Sequence, residues 1–342
     1  MDGRIKEARK TLEEAFQWTN RHLAEDNLQR LMVQRYLAQA YRDDGQLKDG
    51  IVLLEQVVAI RAKTLAEDNH ERLQLQRLLA EAYREDGQVI KAVAMLERTV
   101  AIGKRTLTEN DEERLHSQQS LAAAYYSSNQ VKEAIALLEP VVAIRKLILA
   151  EDDPTLLVSQ GTLALAYLFD GRAQDAIALL EHVVAIEART LSEDHLQRLI
   201  TLHALALAYR RNDQAKKAVI LLEHVVAIEA QTLAEEHPTR LQSQRALAVY
   251  YVANGQPKKA LALLEHVVAI RKRTLDEDHP LRLASQEALA ISYEANGQPK
   301  KAVPLLEHVV AIQKRTLDED HPGRLRSERR LAGYVADALE DV

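Results

Sequence analysis

Apolar residues recur along this chain at steps of three and four, the spacing that puts them on one face of an α-helix. The strongest run, Ala302, Leu305, Leu306, Val309, Val310 and Ile312, forms a broad stripe and predicts a helix over 299–317. A weaker stripe ahead of it, Leu283, Gln286, Ala290 and Tyr293, predicts a helix over 280–295. On hydropathy alone, the later helix of the pair (helix B) should be more buried than the earlier one (helix A). Helix A is preceded by the acidic turn Asp276-Glu277-Asp278-His279-Pro280, in which His279 or Asp278 is placed to cap and Pro280 suits the first helical position.

The same pair returns every 42 residues, aligning Tyr41, Tyr83, Tyr125, Tyr167, Tyr209, Tyr251 and Tyr293 in one column. Glu55, Glu97, Glu139, Glu181, Glu223, Glu265 and Glu307 align in another. Such self-similarity means that units stack and bury a continuous core that none could bury alone. The turn from helix A to helix B carries Gly45, Gly87, Gly171, Gly255 and Gly297, with Asn129 and Asp213 in the other two units. These residue types tolerate positive φ, so a left-handed residue is expected to end helix A. The chain therefore reads as all-α, one solenoid over 1–342: a capping segment at 1–26 with a lone helix B over 4–23, seven helix pairs over 27–320, and a lone helix A at 321–342. Lys6, Arg9, Lys10, Glu13 and Glu14 at one end, and Arg326, Glu328, Arg329 and Arg330 at the other, give these helices the polar character of solenoid caps. Ends cut from a longer protein are the alternative. Pro140 and Pro304 lie inside helix B and should bend it or loosen a turn, and Gly161 should weaken its helix A.

Composition narrows the function classes. The 342 residues are 47% hydrophobic and only 4% aromatic, and good helix formers dominate, which favours α over β. The absence of cysteine removes disulfides, thiolate metal sites and thiol nucleophiles, and leads us to expect a cytoplasmic protein. No stretch approaches the roughly 18 apolar residues of a membrane span, so no membrane association is expected. A net charge of −6 with both signs interspersed gives no general attraction for nucleic acid, and a monomer is expected over a homo-oligomer.

Leu79-Ala80, Tyr83, Gly87, Ala92 and Leu96 fall at the relative spacings of the packing positions of the tetratricopeptide repeat. The phrases Asp278-His279-Pro280, Asn296-Gly297-Gln298 and Pro304-Leu305-Leu306-Glu307, and the longer period, resemble the 42-residue units of kinesin light chains. Similar units occur in the sensor regions of fungal NACHT and NB-ARC proteins, which are NLR-like. The near-identity of 263–274 and 305–316 resembles those arrays most. The resemblance implies a right-handed superhelix of antiparallel helix pairs whose concave groove, lined by helix A, binds a protein or peptide. Kinesin light chains clamp a cargo backbone with asparagines six residues before the tyrosine column. Here that column reads Arg35, Arg77, Gln119, Gly161, His203, Arg245 and Glu287, so no such clamp is inherited.

The inward columns of helix A change character along the chain. Early units present Arg35, Arg42, Arg77 and Arg84, and middle units present Val158, Leu165, Leu168, Phe169, Ile200, Leu207, Val249 and Val252. Burying such apolar side chains against a partner would yield about 1.5–3 kcal/mol each, against an association cost on the order of 4–15 kcal/mol. The competing reading buries them against neighbouring helices of the chain itself.

The remaining motifs are absorbed by the repeat. The histidines at 182, 224, 266 and 308, and at 195, 237, 279 and 321, are spaced a whole unit apart, which keeps them from converging on one metal ion. The glutamate column is expected to anchor an ion pair or hydrogen bond, with Arg72, Arg114, Arg198, Arg240, Arg282 and Arg324 as candidate partners. Acidic pairs such as Asp276 and Asp278 read as solvated turns, and no glycine-rich phosphate loop is present, so neither an enzyme nor a cofactor is expected. Basic clusters such as Arg271-Lys272-Arg273 are offset by adjoining acids. The function expected is a protein-interaction module, with a scaffold or oligomerisation element as the alternative.

Overall fold

The computed structural model describes residues 2–340, and among these all regular structure is helical. The helices are α1 (Asp2–His22), α2 (Leu28–Asp43), α3 (Leu47–Thr64), α4 (His70–Glu85), α5 (Val89–Thr106), α6 (Glu112–Ser127), α7 (Val131–Ile148) and α8 (Pro154–Phe169) in a first compact unit, Met1–Arg172. A second unit, Ala173–Val342, holds α9 (Ala173–Thr190), α10 (Leu196–Arg211), α11 (Ala215–Thr232), α12 (Pro238–Ala253), α13 (Pro257–Thr274), α14 (Pro280–Ala295), α15 (Pro299–Thr316) and α16 (Pro322–Glu340). Even-numbered helices are of type A and odd-numbered ones of type B, within two residues of the expected bounds. Within each unit every helix packs on the next, and successive A helices also touch, as α4 does α6 and α12 does α14. No helix among the described residues is long and apolar enough to cross a membrane.

The turn chemistry follows the predicted column. Gly45, Gly87, Gly171, Gly255 and Gly297 have φ between 70° and 82°, and Asn129 and Asp213 adopt 63° and 55°. Each sits in a Schellman-type ending: in the first, Gly45 N–H donates to the Arg42 carbonyl and Gln46 N–H to the Tyr41 carbonyl at 2.7 Å. At the other end of helix A the cap changes along the chain. Asn27, Asn69, Asp111 and Asp153 accept through side-chain oxygens in α2, α4, α6 and α8, whereas His195, His237 and His279 accept through Nδ1 in α10, α12 and α14. His279, and not Asp278, is thus the cap of α14.

The tyrosine column supplies the lateral fastening. Tyr83, Tyr125, Tyr167, Tyr209, Tyr251 and Tyr293 each donate their hydroxyl to the glutamate 28 residues earlier, on the preceding helix B, at 2.5–2.8 Å. The glutamate column is therefore a hydrogen-bond anchor, as expected, but its partner is tyrosine and not the arginine column. Arg30, Arg72, Arg114, Arg198, Arg240, Arg282 and Arg324 instead donate Nη1 to the leucine carbonyl seven residues back, satisfying the end of the preceding helix B. The ammonium or guanidinium of Lys91, Arg172, Lys217, Lys259 and Lys301 covers the ring of Tyr83, Tyr167, Tyr209, Tyr251 and Tyr293.

Burial differs from the hydropathy expectation. α14 buries seven of its sixteen residues and α15 six of eighteen, so helix A is the more enclosed element. The reason is its position: it packs against the B helices on both sides and against other A helices, while one flank of helix B faces solvent. Much of what helix A buries is small or polar, Ser285, Gln286 and Ser292 in α14; Gln286 stood in the expected stripe, but hydropathy gives such residues little weight and Ser285 and Ser292 none. α7 runs through Pro140 and α15 through Pro304 without interruption.

Two glycines give opposite expectations. A methyl group at Gly161, inside α8, would meet nothing within 4 Å, so Gly161→Ala should stabilise by about 0.5–1 kcal/mol. At Gly50 the same group would stand 2.8 Å from the Ala38 carbonyl oxygen, so Gly50→Ala should destabilise. Denaturant midpoints of the two variants should move in opposite directions. Burial, reinforced by the glutamate bond, pushes the phenols of Tyr83, Tyr125, Tyr209 and Tyr293 up to about 12. Above the ordinary phenol value of about 10 the unfolded chain releases protons that the folded chain keeps, so stability should fall as pH rises from 10 to 12. Tyr209→Phe should cost about 1 kcal/mol at neutral pH and flatten that alkaline loss, read from melts across the range.

Candidate functional site

The helix-A columns expected to meet a partner divide by exposure. In the column nine residues before the tyrosine, Met32, Val158 and Ile200 are 42%, 40% and 51% exposed, on α2, α8 and α10. Phe169 is 48% exposed at the end of α8, its ring edge-on to Tyr126 with centroids 4.8 Å apart. Leu165, Leu207, Val249 and Val252 are half-buried. Leu168 is buried at 3% exposure and belongs to the core, since one residue of helix rotates it about 100° from Phe169. α8 and α10 therefore offer some of these side chains to solvent and pack others against the chain.

The early arginines are spent within the first unit. Arg42 on α2 grips Glu85 on α4 through Nε and Nη2 at 2.6 and 2.5 Å, and Arg84 lies 3.5 Å from the same carboxylate. Arg77 on α4 donates to both oxygens of Glu113 on α6 at 2.8 and 3.2 Å, and to Glu81 at 2.9 Å. Ser120 and Ser117 complete the two carboxylates. Arg35 differs, with its guanidinium 5.2 Å from the Tyr36 ring centroid at the rim of a pocket of about 200 Å³ that Leu47, Leu54 and Leu78 help to line.

The column that would hold a clamp serves to lace one A helix to the next. Arg77 reaches Glu113, Gln119 accepts from Ser159 at 3.1 Å, His203 Nε2 lies 2.8 Å from Ser243 Oγ, and Glu287 accepts from Arg330 at 2.5 Å. Among the described residues no group of three His, Asp or Glu side chains is placed to hold a metal ion. His266 and His308 face Glu235 and Glu277 instead, at 3.1 and 3.5 Å.

One polar column escaped sequence reasoning. Arg145, Glu187, Glu229 and Arg271 lie inside helix B at 0–1% exposure, each bonded to a hydroxyl fourteen residues later: Ser159, Thr201, Ser243 and Ser285. The signal was present as a charge within the apolar stripe facing a serine or threonine column. Burial raises the Glu187 and Glu229 carboxyls above their ordinary values, with Thr201 and Gln197 partly opposing it at Glu187 and Ser243 at Glu229. Burial likewise pulls the Arg271 guanidinium down to about 10, aided by Arg245.

The tetratricopeptide repeat family models match residues 30–71, 71–147, 155–231 and 239–315. Among solved structures, one from Podosopora anserina, assigned as a kinesin light chain with nearly identical TPR-like repeats, is 51% identical. That match covers 62% of this chain and all of the other, with a TM-score of 0.55. A STAND ATPase with a tetratricopeptide repeat sensor, from Pyrococcus horikoshii, shares the fold at 16% identity, over 91% of this chain and 43% of that one, with a TM-score of 0.60. The apo quorum sensor NprR of B. thuringiensis does so at 15% identity, over 90% and 83%, with a TM-score of 0.67. Among curated proteins none matches.

The buried carboxyl of Glu187 carries a pH signature. With its folded value raised, its stabilising contribution is present below the unfolded value of about 4.3 and is lost as pH rises through the folded one. Glu187→Gln should therefore raise the melting temperature at pH 7, and the gain should vanish below about pH 4, as calorimetry across that range would read.

Proposed function

Because the chain belongs to the tetratricopeptide repeat family, we propose that it is a non-catalytic protein-interaction module whose helix-A faces take up a peptide, helix or protein surface. The observation that carries this is the exposure of Met32, Val158 and Ile200 in a single helix-A column, joined on α8 by Phe169. Isolated exposed apolar residues are ordinary, but Val158 and Phe169 are open together on α8, and Ile200 repeats the Val158 position on α10 and Met32 on α2, on the face that the family uses for recognition. The paired arginines Arg42, Arg77 and Arg84 shape this face, and Arg35 contributes a charge at its edge. Of the half-buried set, Leu165 would form the floor beside Val158, and Leu207, Val249 and Val252 would do so in the second unit.

The working compartment is the cytoplasm, and the ligand is proteinaceous, with neither nucleic acid nor membrane involved. In an NLR-like protein such a face would be the ligand-sensing surface. The Pyrococcus STAND protein, with its tetratricopeptide repeat sensor, is a named precedent for that arrangement.

Peptides selected from a random displayed library against the immobilised chain should be apolar and should bind α8. Phe169→Asp should weaken them by about 10- to 100-fold, the equivalent of one buried aromatic, while helix content and melting stay unchanged. Calorimetric titration reads the difference. Selected peptides that bind the Phe169→Asp and Val158→Asp variants as tightly as the parent chain would refute the assignment of this face.

A further inference from the structure

Successive A helices in the first unit are not joined alike. From α4 to α6 two links cross: Arg77 reaches Glu113 at 2.8 Å, Ser120 donates to Glu81 at 2.6 Å, and the helices lie against each other. From α2 to α4 neither link forms. Glu71, which stands where Glu113 stands in the next unit, is taken instead by Arg61 of α3, with Nη2 3.0 Å from its carboxylate. Gln39 and Leu78 occupy the places of Glu81 and Ser120. α2 and α4 make no comparable contact, and the space left between them and α3 is the cavity of about 200 Å³.

The lining of this cavity divides by depth. Ala38, Leu54 and Ala82 are buried, and Leu47 and Leu78 complete an apolar interior. Arg35, Tyr36 and Gln39 stand on the open side. Among the described residues the Arg35 guanidinium has neither a hydrogen bond nor an ion pair, only the ring of Tyr36. The carboxylates around it are already engaged: Glu71 by Arg61, Glu81 by Arg77, Glu85 by Arg42, and Asp43 by the Gln39 amide at 2.8 Å. The mouth of an apolar cavity thus carries one planar cation that no acid neutralises.

We propose that this cavity binds a free small carboxylic acid with an apolar body, a benzene-sized ring or a branched chain on a short arm, held as the carboxylate by Arg35. A cavity of about 150 Å³ takes up benzene, so about 200 Å³ leaves room for the arm and little more. The guanidinium fork meets a carboxylate through two parallel hydrogen bonds, which fixes the acid group at the mouth and sends the apolar body inward. A phosphate monoester would bring a second charge that nothing at the mouth neutralises. The site goes beyond the proposed peptide-binding face, since Met32, Val158, Phe169 and Ile200 do not line it.

Calorimetric titration of the 342-residue chain with phenylacetate tests the proposal. Saturable one-to-one binding at about 10 µM to 1 mM is expected of a ligand this small. Phenylacetamide, which keeps the shape and loses the charge, should bind at least about tenfold more weakly. Arg35→Gln alters an unpaired, half-buried side chain; it should weaken phenylacetate at least about tenfold and leave the amide unchanged, so that the preference for the acid disappears. Nuclear Overhauser contacts from the ring protons should fall on the methyl groups of Leu47, Leu54 and Leu78. Phe169→Asp should bind phenylacetate as the parent chain does, which separates this site from the peptide face. N-acetylphenylalanine, the same ring and carboxylate with a backbone attached, should bind more weakly than the free acid. The proposal is overturned if neither phenylacetate nor 3-methylbutanoate saturates the chain up to about 10 mM, or if acid and amide bind equally. Unchanged affinity in Arg35→Gln, tighter binding of N-acetylphenylalanine, or ring contacts to methyl groups elsewhere would overturn it as well.

Discussion

One tyrosine per unit holds three helices in register. Its hydroxyl ties it to the preceding helix B, its ring lies under a cation from its own helix B in four units and from the turn before it, Arg172, in a fifth, and its carbonyl accepts the N–H that closes its own helix A. The residue at which helix A ends is thus the residue that fixes it sideways. Moving the turn by one position would rotate the ring by about 100° and withdraw the hydroxyl from its glutamate. Neither phenylalanine, which lacks the hydroxyl, nor a residue too short to span from the buried side to the exposed carboxylate would do both. The positive-φ residue, the leucine carbonyl taken by arginine and the small residues where helices approach all assume this placement.

The features that depend on a residue's own backbone were readable from sequence: the helix limits, the left-handed turn at Gly45 or Asn129, and a cap at Asp278 or His279, of which the structure takes His279. Features that depend on a partner were readable only as columns. Tyrosine and glutamate each stood out, yet their pairing across 28 residues did not, and a salt bridge to arginine looked equally sound because charge complementarity carries no distance. Depth within helix A was also misjudged, since Ser285 and Gln286 are interior while helix A has the weaker apolar stripe. In the set expected from sequence to meet a partner, Phe169 and Leu168 are adjacent and similarly apolar, and only the phase of α8 separates an open ring from a core leucine.

The buried ionisable column trades stability for discrimination. An apolar residue at Arg145, Glu187, Glu229 or Arg271 would avoid desolvating a charge. With a hydroxyl as the paired group, each site accepts only a neighbour that brings serine or threonine to a defined point, and a slipped helix would leave a charge without a partner. Units of nearly uniform apolar pattern have many ways to stack wrongly, and this column penalises the wrong ones. The His203–Ser243–Glu229 chain shows the same economy, one hydroxyl serving two titratable groups on different helices.

The Tyr–Glu bond, the arginine-to-carbonyl bond and the A-to-A lacing all connect residues fewer than 45 positions apart, so each reaches no further than the adjoining unit. A stretch of 42 residues removed or duplicated in frame would carry its tyrosine, glutamate, arginine and turn with it and meet identical partners at the new junction. Copy number is therefore a quantity this architecture lets a genome vary by recombination between near-identical segments, without generating an unsatisfied group in the Tyr–Glu or arginine-to-carbonyl linkages; only the A-to-A lacing, whose partners differ from unit to unit, has to be matched anew.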